Sequence, residues 1–227
     1  MIYKPVSLTE SQIGKYVDIN GDGIPEGVIF ADLAIGGDKL WNGTPNTRYR
    51  YEKSSKNLKE YVVVGTYSHA LNGEREMLAP ILDGKDRFYI MALNDVSKDE
   101  YYWYNRASFE GMLDYEKTTL EVFGSGRQNT LAMIKKWNKS AYGAQDSDDM
   151  WNLIQEQVAD GWFIPSIREW YAFAEELHIN LGRETADSYW SSSQRDKITS
   201  FGIDLEAGGF FHTTTDALYS IRLAKTI

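Results

Sequence analysis

The chain has 227 residues, enough for a substantial hydrophobic core in one large domain or two small ones. Its 42% apolar content with 7 Trp, 15 Tyr and 9 Phe excludes a disordered chain. A formal net charge of −9 opposes a nucleic-acid backbone or an anionic membrane as the main partner. The lack of Cys removes disulfides, thiolate metal sites and cysteine nucleophiles, and no stretch approaches the roughly 20 apolar residues of a membrane helix.

In chain order, Lys15-Tyr16-Val17-Asp18-Ile19 and Gly27-Val28-Ile29-Phe30 flank the turn-rich Asn20-Gly21-Asp22-Gly23, which predicts a hairpin over residues 14 to 33. Residues 36 to 60, rich in Gly, Asn, Thr, Ser and Lys around Trp41 and Tyr49, read as a long surface loop. Strand signals return at 61–64, 87–93 and 101–104. The period then changes. Leu131, Ile134 and Trp137 are spaced like one helix face, and Met150, Trp151, Ile154 and Val158 like another. A third helix follows Pro165, where Ser166 and Glu169 form a capping box ahead of Trp170, Phe173, Ala174 and Leu177, with its end near 178–182. From Tyr189 to Ile227 the pattern is β again, with Gly208-Gly209 as a turn. No linker or repeat separates these parts. They are expected to form one α+β domain: a mostly β part over 1–125, a helical part over 126–182 and a C-terminal hairpin over 189–227, with mixed or antiparallel sheets and two or three helices.

Asp18, Asn20, Asp22 and Glu26 place oxygen side chains around one turn, as a calcium loop would. An EF-hand would need a Glu where Ile29 stands, so only a hairpin calcium loop is open, beside a turn that needs no metal. His69, His178 and His212 have no ligand spacing for a metal. Ser191-Ser192-Ser193 is no nucleophile elbow, and Gly124-Ser125-Gly126-Arg127 no phosphate loop. The acidic pairs Asp148-Asp149 and Glu175-Glu176 fit helix caps and solvated faces. No catalytic residue emerges, and no enzyme activity is expected.

Ser200 to Glu206 alternate strictly, with Phe201, Ile203 and Leu205 on one face. Residues 210 to 218 show no clean period and read as an irregular loop or an exposed recognition surface, and Tyr219-Ser220-Ile221-Arg222-Leu223 resumes a buried-strand alternation.

Several motifs recur together: Val17 to Gly23 with Gly27 to Ala34; Gly126-Arg127-Gln128-Asn129-Thr130 with Lys136-Trp137-Asn138; Gly161-Trp162-Phe163-Ile164-Pro165-Ser166 with Glu169-Trp170; Tyr189-Trp190-Ser191-Ser192-Ser193-Gln194; and Ile221-Arg222-Leu223. Together they resemble the variable target proteins of diversity-generating retroelements, which have a C-type-lectin-like fold of the formylglycine-generating-enzyme type. The resemblance implies a ligand-binding protein, phage-borne or displayed on a bacterial surface, whose C-terminal hypervariable region is rewritten by adenine-directed mutagenesis. Such rewriting of Asn codons never yields Lys, Glu, Gln, Met or Trp. In residues 195 to 220 only Lys197 and Glu206 belong to these five types, where about five or six are expected from their 49 occurrences in 227 residues.

On that resemblance the surface for a protein or glycan ligand comprises Asp196, Ile198, Thr199, Gly202, Asp204, Glu206, Ala207, Phe211, His212, Thr213, Thr214, Asp216, Ala217, Leu218, Tyr219 and Ser220. Phe211, His212 and Tyr219 are its anchors, with Phe211 alternatively in the core. Trp162, Pro165, Trp170, Tyr189 and Trp190 are expected to be scaffold. The enzymatic branch of that fold relies on a cysteine pair, which this chain lacks. Two competing readings are a non-diversified structural or adhesive module of a phage tail or bacterial appendage, and a hydrolase using the acidic residues, which would require a concave pocket with shifted carboxyl groups.

Overall fold

The computed structural model describes residues 5–40, 48–51, 53, 55–105, 118–141, 144–177, 188–205 and 209–227. It is a mixed α+β structure, and the chain sorts into two compact units. The first holds residues up to Asn94 with Ala172–Ile179 and Ala224–Ile227, and the second holds Asp95–Tyr171 and Asn180–Leu223.

In the first unit, β1 (Tyr16–Val17), β2 (Gly27–Asp32), β5 (Glu60–His69), β6 (Gly73–Leu82), β7 (Phe88–Ala92) and β13 (Ala224–Thr226) build one sheet in the order β13-β7-β2-β1-β6-β5. Only the β1/β6 pair is parallel. The predicted hairpin forms, with Tyr16 opposite Val28. Val28, Ile29, Phe30 and Ala31 are all fully buried, which is why β2 reads as a continuous apolar run rather than an alternating one. Phe173 packs edge-on against Phe30 at 6.0 Å.

One expectation fails here, and one strand comes without a sequence signal. Within 36 to 60, β3 (Gly37–Leu40) pairs antiparallel with β4 (Arg48–Tyr51), Gly37 lying opposite Tyr51. Main-chain bonding of a two-stranded ribbon leaves no apolar signal in a polar sequence. Trp41 lies outside the described residues. Strand β6 was not anticipated either, because Glu74-Arg75-Glu76 and Pro80 argue against a strand. The structure exposes Gly73 to Glu76 and buries only Met77 and Leu78, which lie beside β1.

In the second unit β9 (Ser188–Gln194), β10 (Thr199–Asp204) and β11 (Gly209–Thr214) form an antiparallel sheet with β10 in the middle, and β8 (Tyr101–Tyr102) pairs with β12 (Leu218–Tyr219). The helices, four among the described residues, are α1 (Gly126–Asn138), α2 (Met150–Leu153), α3 (Gln155–Ala159) and α4 (Ile167–Leu177). The expected apolar face of α1 holds in part: Trp137 is buried and Ile134 packs against the core, but Leu131 is 50% exposed and Met133 is buried in its stead. The second predicted helix is broken at the buried Ile154 into α2 and α3. α4 opens with the predicted capping box, in which Ser166 N–H donates to Glu169 Oε2 at 2.7 Å and Glu169 N–H donates to Ser166 Oγ at 3.3 Å. Its expected end falls outside the described residues. Around Trp103, Trp151 and Trp190 the core gathers Met133, Met150, Ile154, Ile164, Ile221 and Leu223.

Candidate functional site: the C-terminal hairpin and its scaffold

The motifs separated in sequence meet in the second unit. Ser191, Ser192 and Ser193 are fully buried, an unusual place for three hydroxyls, and each is bonded. Ser191 Oγ donates to the Phe201 carbonyl at 2.8 Å, and Ser192 Oγ accepts from Asn129 Nδ2 at 3.2 Å. Ser193 Oγ donates to the Leu120 carbonyl at 2.9 Å and accepts from Ile167 N–H at 3.0 Å. The Ser192 amide donates to the Pro165 carbonyl at 2.8 Å. Small hydroxylated residues suit β9 because the groups against it, the Leu120 carbonyl, the first N–H of α4 and the Phe201 carbonyl at the register shift of β10, lack a regular main-chain partner.

The indoles do similar work. Trp170 Nε1 donates to the Trp190 carbonyl at 3.2 Å, Trp190 Nε1 to Tyr101 at 2.8 Å and Trp103 Nε1 to Ser191 at 2.9 Å. Tyr189 lies 5.0 Å from Trp170, ring to ring. Pro165 is buried, and Trp162 is half-buried against the core. Glu169 sits at the centre of this knot. Its Oε1 accepts Gly124 N–H at 3.0 Å and Gly126 N–H at 3.4 Å. A Cβ on Gly126 would overlap Glu169 Oε2 and come within 2.9 Å of the Ile164 carbonyl oxygen, so only glycine fits. Complete burial pushes the Glu169 carboxyl up to about 7, against the amides of Ser166, Gly126 and Gly124, which pull it down.

On this scaffold, β10 and β11 form the hairpin. Antiparallel register puts Phe201 opposite His212 and Ile203 opposite Phe210 on one face, and Gly202 opposite Phe211 on the other. Phe201, Ile203 and Leu205 are buried as expected. Gly209, read as part of a turn, and residues 210–214, read as irregular, form a strand: Phe210, His212 and Thr214 are exposed, and Gly209, Phe211 and Thr213 half-buried. Mixed residue chemistry had concealed a regular period of two.

Of the predicted surface, Ile198, His212, Thr214 and Leu218 are exposed, and Asp196, Thr199, Asp204, Phe211, Thr213, Asp216, Ala217 and Tyr219 half-buried. Glu206 and Ala207 lie outside the described residues. Gly202 and Ser220 are buried and do not belong to a surface. The Phe211 ring covers Gly202, while Ser220 is held by main-chain bonds, its carbonyl accepting Trp190 N–H at 3.1 Å. Ile221, Arg222 and Leu223 are likewise all buried rather than alternating, since they run through the interior beside Asp95, with Arg222 Nε donating to Asp95 Oδ1 at 2.6 Å. Phe211 meets Tyr219 in a tilted contact at 4.8 Å, and Tyr219 meets Trp190 edge-on at 4.9 Å. Burial raises the Tyr219 hydroxyl above its ordinary value. At Asp196, desolvation would raise the carboxyl, but the amides of Ile198 and Thr199 outweigh it and hold the group below its ordinary value.

Sequence reasoning missed Phe210, 43% exposed, and the hollow it helps to form. This space of about 310 Å³ is lined by Glu121, Ile167, Arg168, Tyr171, Arg195, Phe201, Phe210 and His212. Alternation extended through β11 would have put Phe210 and His212 on the Phe201 face. Nothing in the sequence signals that Arg168 and Tyr171 of α4 reach the same place. The carboxyls that burial raises, Glu169 and Asp149, do not line it. Asp149 is engaged instead by the Trp137 indole at 2.9 Å and the Asn105 amide at 2.8 Å.

The Asp18–Glu26 turn is closed by its own main chain. Asp18 Oδ1 and Oδ2 accept the amides of Gly21 and Gly23 at 2.7 and 2.9 Å, and Glu26 Oε2 accepts that of Ile19 at 2.6 Å. Among the described residues no group of three or more His, Asp or Glu is arranged to hold a metal ion, and no helix is long and apolar enough to cross a membrane.

Compared with family models, with curated proteins and with solved structures, the chain matches none.

Proposed function

We propose that the protein is a ligand-binding protein of C-type-lectin-like fold, a variable protein of a diversity-generating retroelement whose C-terminal hairpin binds a protein or glycan partner. The observation that carries this reading is a division within residues 188–219. Tyr189–Gln194 is buried and bonded to the other motif segments, whereas Arg195, Lys197, Ile198, Phe210, His212, Thr214 and Leu218 stand exposed on hydrogen-bonded strands and their connections. Exposed positions accept substitution within about 0.5 kcal/mol, whereas truncating the buried Ile203, the cross-strand neighbour of Phe210 on the same face, costs about 2–5 kcal/mol. Rewriting of exposed positions is thereby separated from folding.

The test lies in the neighbouring DNA and in sibling copies of the gene. The reading requires a near-copy of the segment encoding residues 195 to 220, with adenines at the variable codons, beside a reverse transcriptase. Sibling proteins should differ at exposed positions 198, 210, 212, 214 and 218 and agree over 188–194. Copies identical throughout 195–220 would replace it with a fixed adhesive or structural module.

A further inference from the structure

We propose that the hollow beside the hairpin binds a small aromatic carboxylate. Its walls are three rings, with Tyr171 meeting Phe210 edge-on at 5.5 Å and Phe201 lying 6.1 Å from Phe210. Among the described residues, two guanidinium groups, Arg168 and Arg195, and one carboxylate, Glu121, line the same space. The Arg168 side chain is 8% exposed and lies 5.4 Å above the Tyr171 ring, which orients its fork of donors. A guanidinium carries five donors in one plane, the geometry that a planar carboxylate matches in bidentate fashion. Three aromatic rings in the lining suit an apolar ring rather than a strongly hydrated anion such as phosphate. At roughly 30 Å³ per water, the space corresponds to about ten waters, the size of a single substituted ring. Phe210 at the mouth leaves a large apolar surface in water that such a ligand would cover.

The proposal rests on the reading above only in taking this end of the unit as ligand-binding, and it does not require the surface to be diversified. Titration of the full chain by ¹H–¹⁵N NMR with phenylacetate, phenylacetamide and inorganic phosphate tests it. Phenylacetate should bind saturably, with a Kd of about 1 mM or below, and its shift changes should cluster at residues 195, 210 and 212. Phenylacetamide should bind about tenfold more weakly, since charge-assisted bonds are lost. Arg195 is exposed, so R195Q should keep a folded spectrum and weaken phenylacetate about tenfold, and F210A should weaken both ring compounds. Equal binding of acid and amide, unchanged binding by R195Q, shift changes elsewhere, phosphate binding as tight as phenylacetate, or no saturation would each overturn the proposal. Those failures would leave the genomic test untouched, and a failed genomic test would leave the titration intact.

Discussion

Gly202 marks where the hairpin cannot be rewritten freely. In G202A the new Cβ would overlap the Phe211 ring at Cζ, lie 2.7 Å from Cε2 and come within 2.9 Å of the Tyr189 carbonyl oxygen. Overpacking of this kind costs about 1–3 kcal/mol, and relief of glycine's backbone entropy returns about 0.5–1 kcal/mol, leaving a net loss of about 1–2 kcal/mol. F211A removes a half-buried ring and its contact with Tyr219. Half of a full Phe truncation is about 2 kcal/mol. In the double variant the ring that obstructs the methyl is gone and only the Tyr189 oxygen remains close. Its loss should be about 2 kcal/mol rather than the roughly 3–4 kcal/mol of the singles combined, a coupling of about 1–2 kcal/mol. Urea unfolding of the four proteins, followed by tryptophan fluorescence, measures each corner of the cycle. Additivity to within about 0.5 kcal/mol, or a neutral G202A, would refute the packing argument. If the coupling holds, sibling copies should keep a glycine at 202 wherever 211 is aromatic.

Three further outcomes are expected. Glu169 has a folded-state pKa of about 7 against an ordinary 4.5, so its contribution to stability is fully present below about pH 4.5 and lost as pH rises through 7. The swing is about 3 kcal/mol, and E169Q should flatten that part of a plot of urea midpoint against pH. In the buried pair, Arg87 donates to both Asp32 oxygens at 3.1 Å with both side chains fully buried, so D32N should cost about 3–5 kcal/mol by thermal or chemical unfolding, and an R87M/D32L double variant much less. D18A should lose about 2–3 kcal/mol as the Gly21 and Gly23 amides lose their acceptor. A loss of equal size in calcium and in a chelator is expected, and a difference restricted to calcium would place a metal at that turn.

What the sequence determined by itself is local or periodic. The β1/β2 hairpin follows from its turn residues, the start of α4 from Ser166 and Glu169, and the buried face of β10 from the alternation of Phe201, Ile203 and Leu205. Each of these patterns is written by residues within a few positions of one another. Tertiary structure alone decided the rest. Strand β6 exists because β1 and β5 supply partners to a charged and proline-bearing segment, and Leu131 is exposed because Met133 and Trp137 were the residues of α1 that found a core. Ser192 and Ser193 become structural hydroxyls only where segments 120–129 and 164–167 bring polar groups to them, and Ser191 only where β10 brings the Phe201 carbonyl. The hollow at Phe210 needs α4, the connection between β9 and β10, β10 and β11 at one place. Burial and hydrogen-bond satisfaction depend on neighbours distant in the chain, and a pattern of residue types carries that information only where both partners lie within one turn or one strand.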